Sequence, residues 1–202
     1  MEREEILEST PNALTGGEQE LFRAALERSQ SSRNRALALL LLNAGLRVGE
    51  VAALDLGDLT IAEGQPIASI RSARSNRARV IALDEQTRNA VSDWLAERQQ
   101  RFPESKEEAL FLSNQKKRIT TAGIDYLIRS IGGQIALMVS AEILRHTCLM
   151  NLVLQGKDIK LVRKLSGHKR LETTKRYAPP SITVCEDTTL PVSSAGEQSG
   201  ST

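Results

Sequence analysis

Between Leu144 and Tyr177 the chain reads LRHTCLMNLVLQGKDIKLVRKLSGHKRLETTKRY. The stretch has an arginine near its start, Arg145, a Gly-His pair at Gly167-His168, and Tyr177 at its end. From Glu142 to Tyr177 nine Lys or Arg stand against three acidic residues. Three short helical segments fit the pattern. Ile143 to Leu154 stops at Gln155-Gly156. Asp158 to Leu165 turns Ile159, Val162 and Leu165 inwards and ends at Ser166-Gly167. Leu171 to Tyr177 is closed by Pro179-Pro180, which cannot continue a helix. A solvated helical face would explain the charge, but not the placing of one arginine, one histidine and one tyrosine.

Upstream, Thr15-Gly-Gly-Glu18 is a capping box that starts a helix to about Ser29, with Leu21, Phe22, Ala25 and Leu26 on one face. Ser31 or Ser32 caps a second helix ending near Ala44-Gly45. Its centre, ALALLLL, is apolar all round and predicts burial between neighbours. Gly45 suits the left-handed conformation that ends a helix. A short third helix begins at Arg47-Val-Gly-Glu-Val51, with Glu50 one turn beyond Arg47.

From Leu54 to Leu83 the period changes to that of strands: Leu59–Ile61, Ile67–Ile70 and Val80–Leu83. The hairpin tip holds Arg71, Arg74, Arg77 and Arg79 with no acid, a pattern suited to a phosphate backbone or to an exposed soluble loop. Asp84 caps a helix to about Arg101, with Val91, Trp94 and Leu95 inwards. Ala109–Leu112 reads as a short buried segment. Lys116-Lys-Arg118 forms a second basic turn, and Thr120 or Thr121 starts a helix that Gly132-Gly133 interrupts.

The 202 residues are 40% hydrophobic but only 3% aromatic, so the core is aliphatic and suits packed helices. A formal charge of +2 conceals segregation, since residues 31 to 184 carry 24 bases and 15 acids. A basic body between acidic ends fits a polyanion such as DNA. Cys148 and Cys185 match no disulfide framework or metal-ligand spacing and read as reduced thiols of an intracellular protein. The charged opening Met1–Glu8 is no signal peptide, and no apolar run spans a bilayer. The expectation is a soluble, cytoplasmic, DNA-associated protein without membrane contact. Residues 1–13 read as a flexible leader and 183–202 as a disordered acidic Ser/Thr-rich tail.

Cutting a phosphodiester without a metal requires cations on the non-bridging oxygens, an in-line nucleophile and a proton donor for the leaving oxygen. Arginine binds phosphate through a planar fork, and tyrosine can form a covalent phosphotyrosine. The sequence holds no P-loop, nucleophile elbow, zinc motif or magnesium-binding carboxylate cluster.

At Ala44-Gly-Leu-Arg-Val-Gly-Glu-Val51, Leu144-Arg-His-Thr147, Leu165-Ser-Gly-His168 and Glu172-Thr-Thr-Lys-Arg-Tyr177 the chain resembles the tyrosine recombinases, or phage integrase family. The blocks fall in the family's order and span roughly Leu14 to Pro180. The resemblance implies an α+β, mainly helical catalytic domain over residues 14–182, with a small antiparallel β-sheet. It implies that Arg47 and Arg145 clamp the scissile phosphate, His168 hydrogen-bonds a phosphate oxygen, Tyr177 is the nucleophile and Glu50 holds Arg47. His146 matches a supporting position. Arg71, Arg77, Arg79, Lys116, Lys117, Arg118, Lys169 and Arg170 are the expected DNA contacts.

Two positions depart from the family pattern. Arg74 stands where a hairpin lysine usually protonates the leaving 5′ oxygen; arginine is a poor proton donor but can stabilise the charge. Glu142 stands where a histidine is usual, three residues before Arg145, and a carboxylate there repels phosphate unless protonated or paired.

The resemblance further implies double-stranded DNA as partner and a homotetramer on two DNA sites, with a monomer or weak oligomer away from DNA. No metal or nucleotide cofactor is required. The family usually adds an N-terminal DNA-gripping domain, so this sequence reads either as a fragment or as a smaller single-domain member. A topoisomerase-like relaxing activity and a non-cutting DNA-binding regulator, the latter from the helix-turn-helix look of Asn151–Leu165, stay open alongside the recombinase.

Overall fold

The computed structural model describes residues 12–61, 66–70 and 79–167. Seven α-helices and one three-stranded sheet account for most of them. Thr15 caps α1 (Gly16–Arg28) through the expected reciprocal pair: its backbone N–H donates to Glu18 at 2.7 Å, and its hydroxyl accepts from the Glu18 amide. Ser31 caps α2 (Ser32–Leu42), in which every residue from Ala36 to Leu42 is buried. An all-round apolar helix needs cover on every side, and α1, α4, α5 and α6 are among the elements packed on α2.

Gly45 adopts φ +63° and turns the chain into α3 (Val48–Ala53). The strands β1 (Leu59–Thr60), β2 (Ile67–Ile70) and β3 (Arg79–Ala82) pair antiparallel in that order, with Ile70 opposite Arg79. The third strand therefore begins one residue earlier than the apolar pattern suggests. Asp84 caps α4 (Glu85–Arg101), whose buried Trp94 donates to the Leu110 carbonyl at 2.9 Å and stacks on Phe111. Leu95, expected inwards, is only half-buried, while Arg98 is buried and donates to the carbonyls of Glu107 and Ala109.

Thr120 caps α5 (Thr121–Gly133) and Ser140 caps α6 (Ala141–Leu154), two residues before the start read from sequence. Asp158 caps α7 (Ile159–Ser166), which ends on Gly167 at φ +63°. Leu14 donates its amide to the buried Thr147 hydroxyl at 2.9 Å, so the start of the described chain is tied to α6. No helix among the described residues is long and apolar enough to cross a membrane.

Candidate functional site

The last carbonyls of a helix have no partner within it and carry the negative end of its dipole. At the end of α7, three consecutive carbonyls each receive a different arginine. The Leu165 carbonyl accepts from Arg79 Nε at 3.0 Å, that of Ser166 from Arg145 Nη2 at 2.8 Å, and that of Gly167 from Arg47 Nη2 at 3.1 Å. The donors come from β3, α6 and the N-cap of α3, so elements far apart in sequence meet at one helix end.

Glu50 sits among these cations with its side chain 9% exposed. Its carboxylate accepts from the Arg47 amide at 2.8 Å and from Arg79 Nη1 and Nη2 at 2.7 and 2.8 Å. Arg47 Nη1 lies 3.4 Å away, so the pair read from the sequence is present, as the looser of two. Burial pushes the Glu50 carboxyl up, but the Arg79 and Arg47 hydrogen bonds and both arginine charges outweigh it and hold the group below the usual carboxylate range. This contribution to stability is complete above the unfolded-state value of about 4.3 and is lost as pH falls through the lower folded value. Glu50→Gln is therefore expected to be less stable at pH 7, with the deficit closing in urea titrations as pH falls below the usual carboxylate range. A deficit independent of pH would mean that the side chain stabilises through packing alone.

Arg145 is 6% exposed and donates to the Gly45 carbonyl as well as to that of Ser166. Its guanidinium is thereby oriented by the protein itself. Arg47 is the more open cation, its side chain 42% exposed. Against Gly45, the Cys148 thiol donates to the Asn43 carbonyl at 3.2 Å. Burial, with a smaller push from Asp84, drives this thiol up to about 12 against the opposing Arg145 charge. In native protein at pH 8 the peptide carrying Cys148 should resist iodoacetamide and react only after denaturation, as read by mass spectrometry.

Glu142 does not turn to Arg145. Its exposed carboxylate lies 3.3 Å from His146 Nε2, one helical turn along the same face. Lys116 and Lys117 are exposed on a tight turn in which Lys116 adopts φ +61°. Two expected DNA contacts are engaged elsewhere. Arg118 donates to Asp55 at 2.6 Å and to the carbonyls of Ala52 and Leu54, so it joins the 109–118 segment to the end of α3. Arg79 spends its fork on Glu50. It shares the inward face of β3 with Ile81, and extending the strand's alternation back two residues from Ile81 would have shown this. Arg71, Arg74, Arg77, His168, Lys169, Arg170 and Tyr177 lie outside the described residues.

The family model for the phage integrase family matches residues 13–182. The chain belongs to the phage integrase family. Tyrosine recombinase XerA of Thermococcus kodakarensis is 27% identical over 177 residues, 86% of this chain and 60% of that protein. Tyrosine recombinase XerC of Pseudomonas aeruginosa is 31% identical over 146 residues, 72% of this chain and 46% of that protein. The crystal structure of XerA recombinase matches with a TM-score of 0.75 at 27% identity, covering 84% of this chain and 60% of that one. XerH site-specific recombinase bound to its difH substrate shares the fold, with a TM-score of 0.74 at 24% identity over 84% of this chain and 50% of that one. This phage integrase family chain thus has the mainly helical tyrosine-recombinase catalytic fold with its small antiparallel sheet. It spans about half the length of the curated relatives it matches.

Proposed function

We propose that this chain is the catalytic module of a site-specific recombinase that cuts and rejoins double-stranded DNA through a 3′-phosphotyrosine. The observation that carries the reading is the convergence of Arg47 and Arg145 on the carbonyl end of α7, one residue before His168. Two oriented guanidinium groups would bind the non-bridging oxygens of one phosphate, and His168 would hydrogen-bond a phosphate oxygen as well. The Tyr177 oxygen would bond to phosphorus as the bond to the 5′ oxygen breaks. Arg74 would stabilise the charge on the departing oxygen, which leaves as a 5′-hydroxyl once the proton given up by the Tyr177 phenol reaches it through solvent. A 5′-hydroxyl from a partner strand would reverse the step and free Tyr177, so no external energy source is consumed. Lys116, Lys117, Lys169 and Arg170 would contact flanking phosphates. Tetramers on two DNA sites would form from a monomer or weak oligomer in solution.

The test is a library of nicked, labelled duplexes randomised across the cut site, which traps the covalent species once the short product strand diffuses away. The expected result is an adduct that survives denaturation and maps to the peptide bearing Tyr177. Binding without any adduct, or an adduct on another residue, overturns the assignment.

Glu142 in the histidine position favours a slow cutter as a second reading. Glu142→His should then keep or raise the single-turnover adduct rate. A large loss would instead give the Glu142–His146 pair a task of its own in the reaction.

A further inference from the structure

Arg79 combines two properties seldom found in a DNA-contacting side chain. Its side chain is 15% exposed, and each of its three guanidinium nitrogens donates a hydrogen bond inside the protein. Both terminal nitrogens take the two oxygens of Glu50, and Nε takes the Leu165 carbonyl. Only a planar guanidinium can bridge a carboxylate and a carbonyl in this way; a lysine ammonium is a point charge without the fork.

These contacts reach Arg47 by two routes. Glu50, gripped by Arg79, accepts from the Arg47 amide and lies beside its guanidinium, which fixes the start of α3. The Leu165 carbonyl, held by Arg79, belongs to the same helix end as the Ser166 and Gly167 carbonyls that receive Arg145 and Arg47. Removing Arg79 would loosen both anchors together. It would also leave the buried Glu50 carboxylate with Arg47 as its remaining cationic partner, drawing that guanidinium inwards.

We propose that Arg79 is a positioning residue for strand cleavage: it locks Glu50 to the carbonyl end of α7, and so sets the orientation of Arg47 and the direction in which the chain leaves towards His168. The proposal rests on the recombinase reading above. Among the described residues Arg79 donates to Glu50 and to the Leu165 carbonyl. It acts through Glu50 and the last turn of α7.

Three measurements on Arg79→Ala decide it, with Arg79→Lys as the variant to use if alanine proves unstable. The single-turnover adduct rate at saturating duplex should fall about 100-fold, the loss expected when reacting groups shift by about 1 Å. The salt dependence of duplex binding should be unchanged, since no phosphate contact is removed. Arg79→Lys should keep that salt dependence too and recover only part of the rate, because the charge returns without the fork. A salt slope reduced by about one overturns the proposal whatever the rate, since that is the signature of a phosphate contact. An unchanged rate overturns it equally. Should the wild-type protein form no adduct, the recombinase reading falls and the role in strand cleavage with it, and amide exchange over residues 163–167 then decides only whether Arg79 locks the end of α7. Faster exchange in Arg79→Ala supports the lock; unchanged exchange removes it.

Discussion

Replacing Arg145 by alanine is expected to cost both activity and stability, and Arg145→Lys should separate the two. The Arg145 side chain is buried, and its guanidinium satisfies the carbonyls of Gly45 and Ser166. Alanine leaves both acceptors without their donor, at about 1–3 kcal/mol for each buried group left unmet. Urea midpoints should therefore fall clearly. The adduct rate should drop by about 10²–10³, the range for losing one preorganised donor to a developing oxyanion. Lysine returns the positive charge and a donor on a flexible stem, but it cannot span two carbonyls while offering further N–H donors of a planar fork to phosphate. Arg145→Lys should thus recover part of the urea midpoint and little of the adduct rate. Equal recovery of both would show that Arg145 contributes only charge and packing.

The parts of this molecule that were legible in the sequence are those written in residue type at short range. Thr15 and Asp84 cap the helices they were expected to cap, and of the alternatives Ser31 or Ser32 and Thr120 or Thr121 the first of each is the cap, because a side-chain oxygen beside a free amide has a local signature; Asp158, read as the first helical residue, is a cap as well. Gly45 and Gly167 adopt the left-handed conformation at helix ends for the same kind of reason. The hub at the end of α7 was not legible. Its acceptors are main-chain carbonyls, which every residue has, so nothing in Leu165-Ser166-Gly167 announces that three arginines will arrive there. Arg79 and Arg118 looked like DNA contacts because they sit in runs of basic residues. What distinguishes them is burial beside Glu50 and pairing with Asp55, both set by tertiary packing. Arg98, buried under the 107–109 segment, was missed for the same reason.

Gly167→Ala is expected to damage cleavage more than its effect on folding would suggest, and Gly156→Ala supplies the comparison. Both glycines have positive φ, +63° at Gly167 and +73° at Gly156, so an L side chain at either site costs about 1–2 kcal/mol of backbone strain. They differ in what surrounds the added carbon. At Gly156 nothing lies within 4 Å. At Gly167 a Cβ would sit 3.1 Å from Arg47 Nη1 and 3.2 Å from Arg79 Nη1. Those are the ends of flexible side chains, so they can move aside, and the fold should survive. Their movement is the damage: it displaces one proposed phosphate-binding guanidinium and the brace that holds it. Gly167→Ala should therefore lose somewhat more thermal stability than Gly156→Ala, and its adduct rate should fall on the order of 10-fold, the equivalent of about 1.4 kcal/mol of transition-state binding, while that of Gly156→Ala stays near wild type. If both variants cleave alike, the arginines tolerate displacement from the end of α7, and the carbonyl hub serves only to finish the helix.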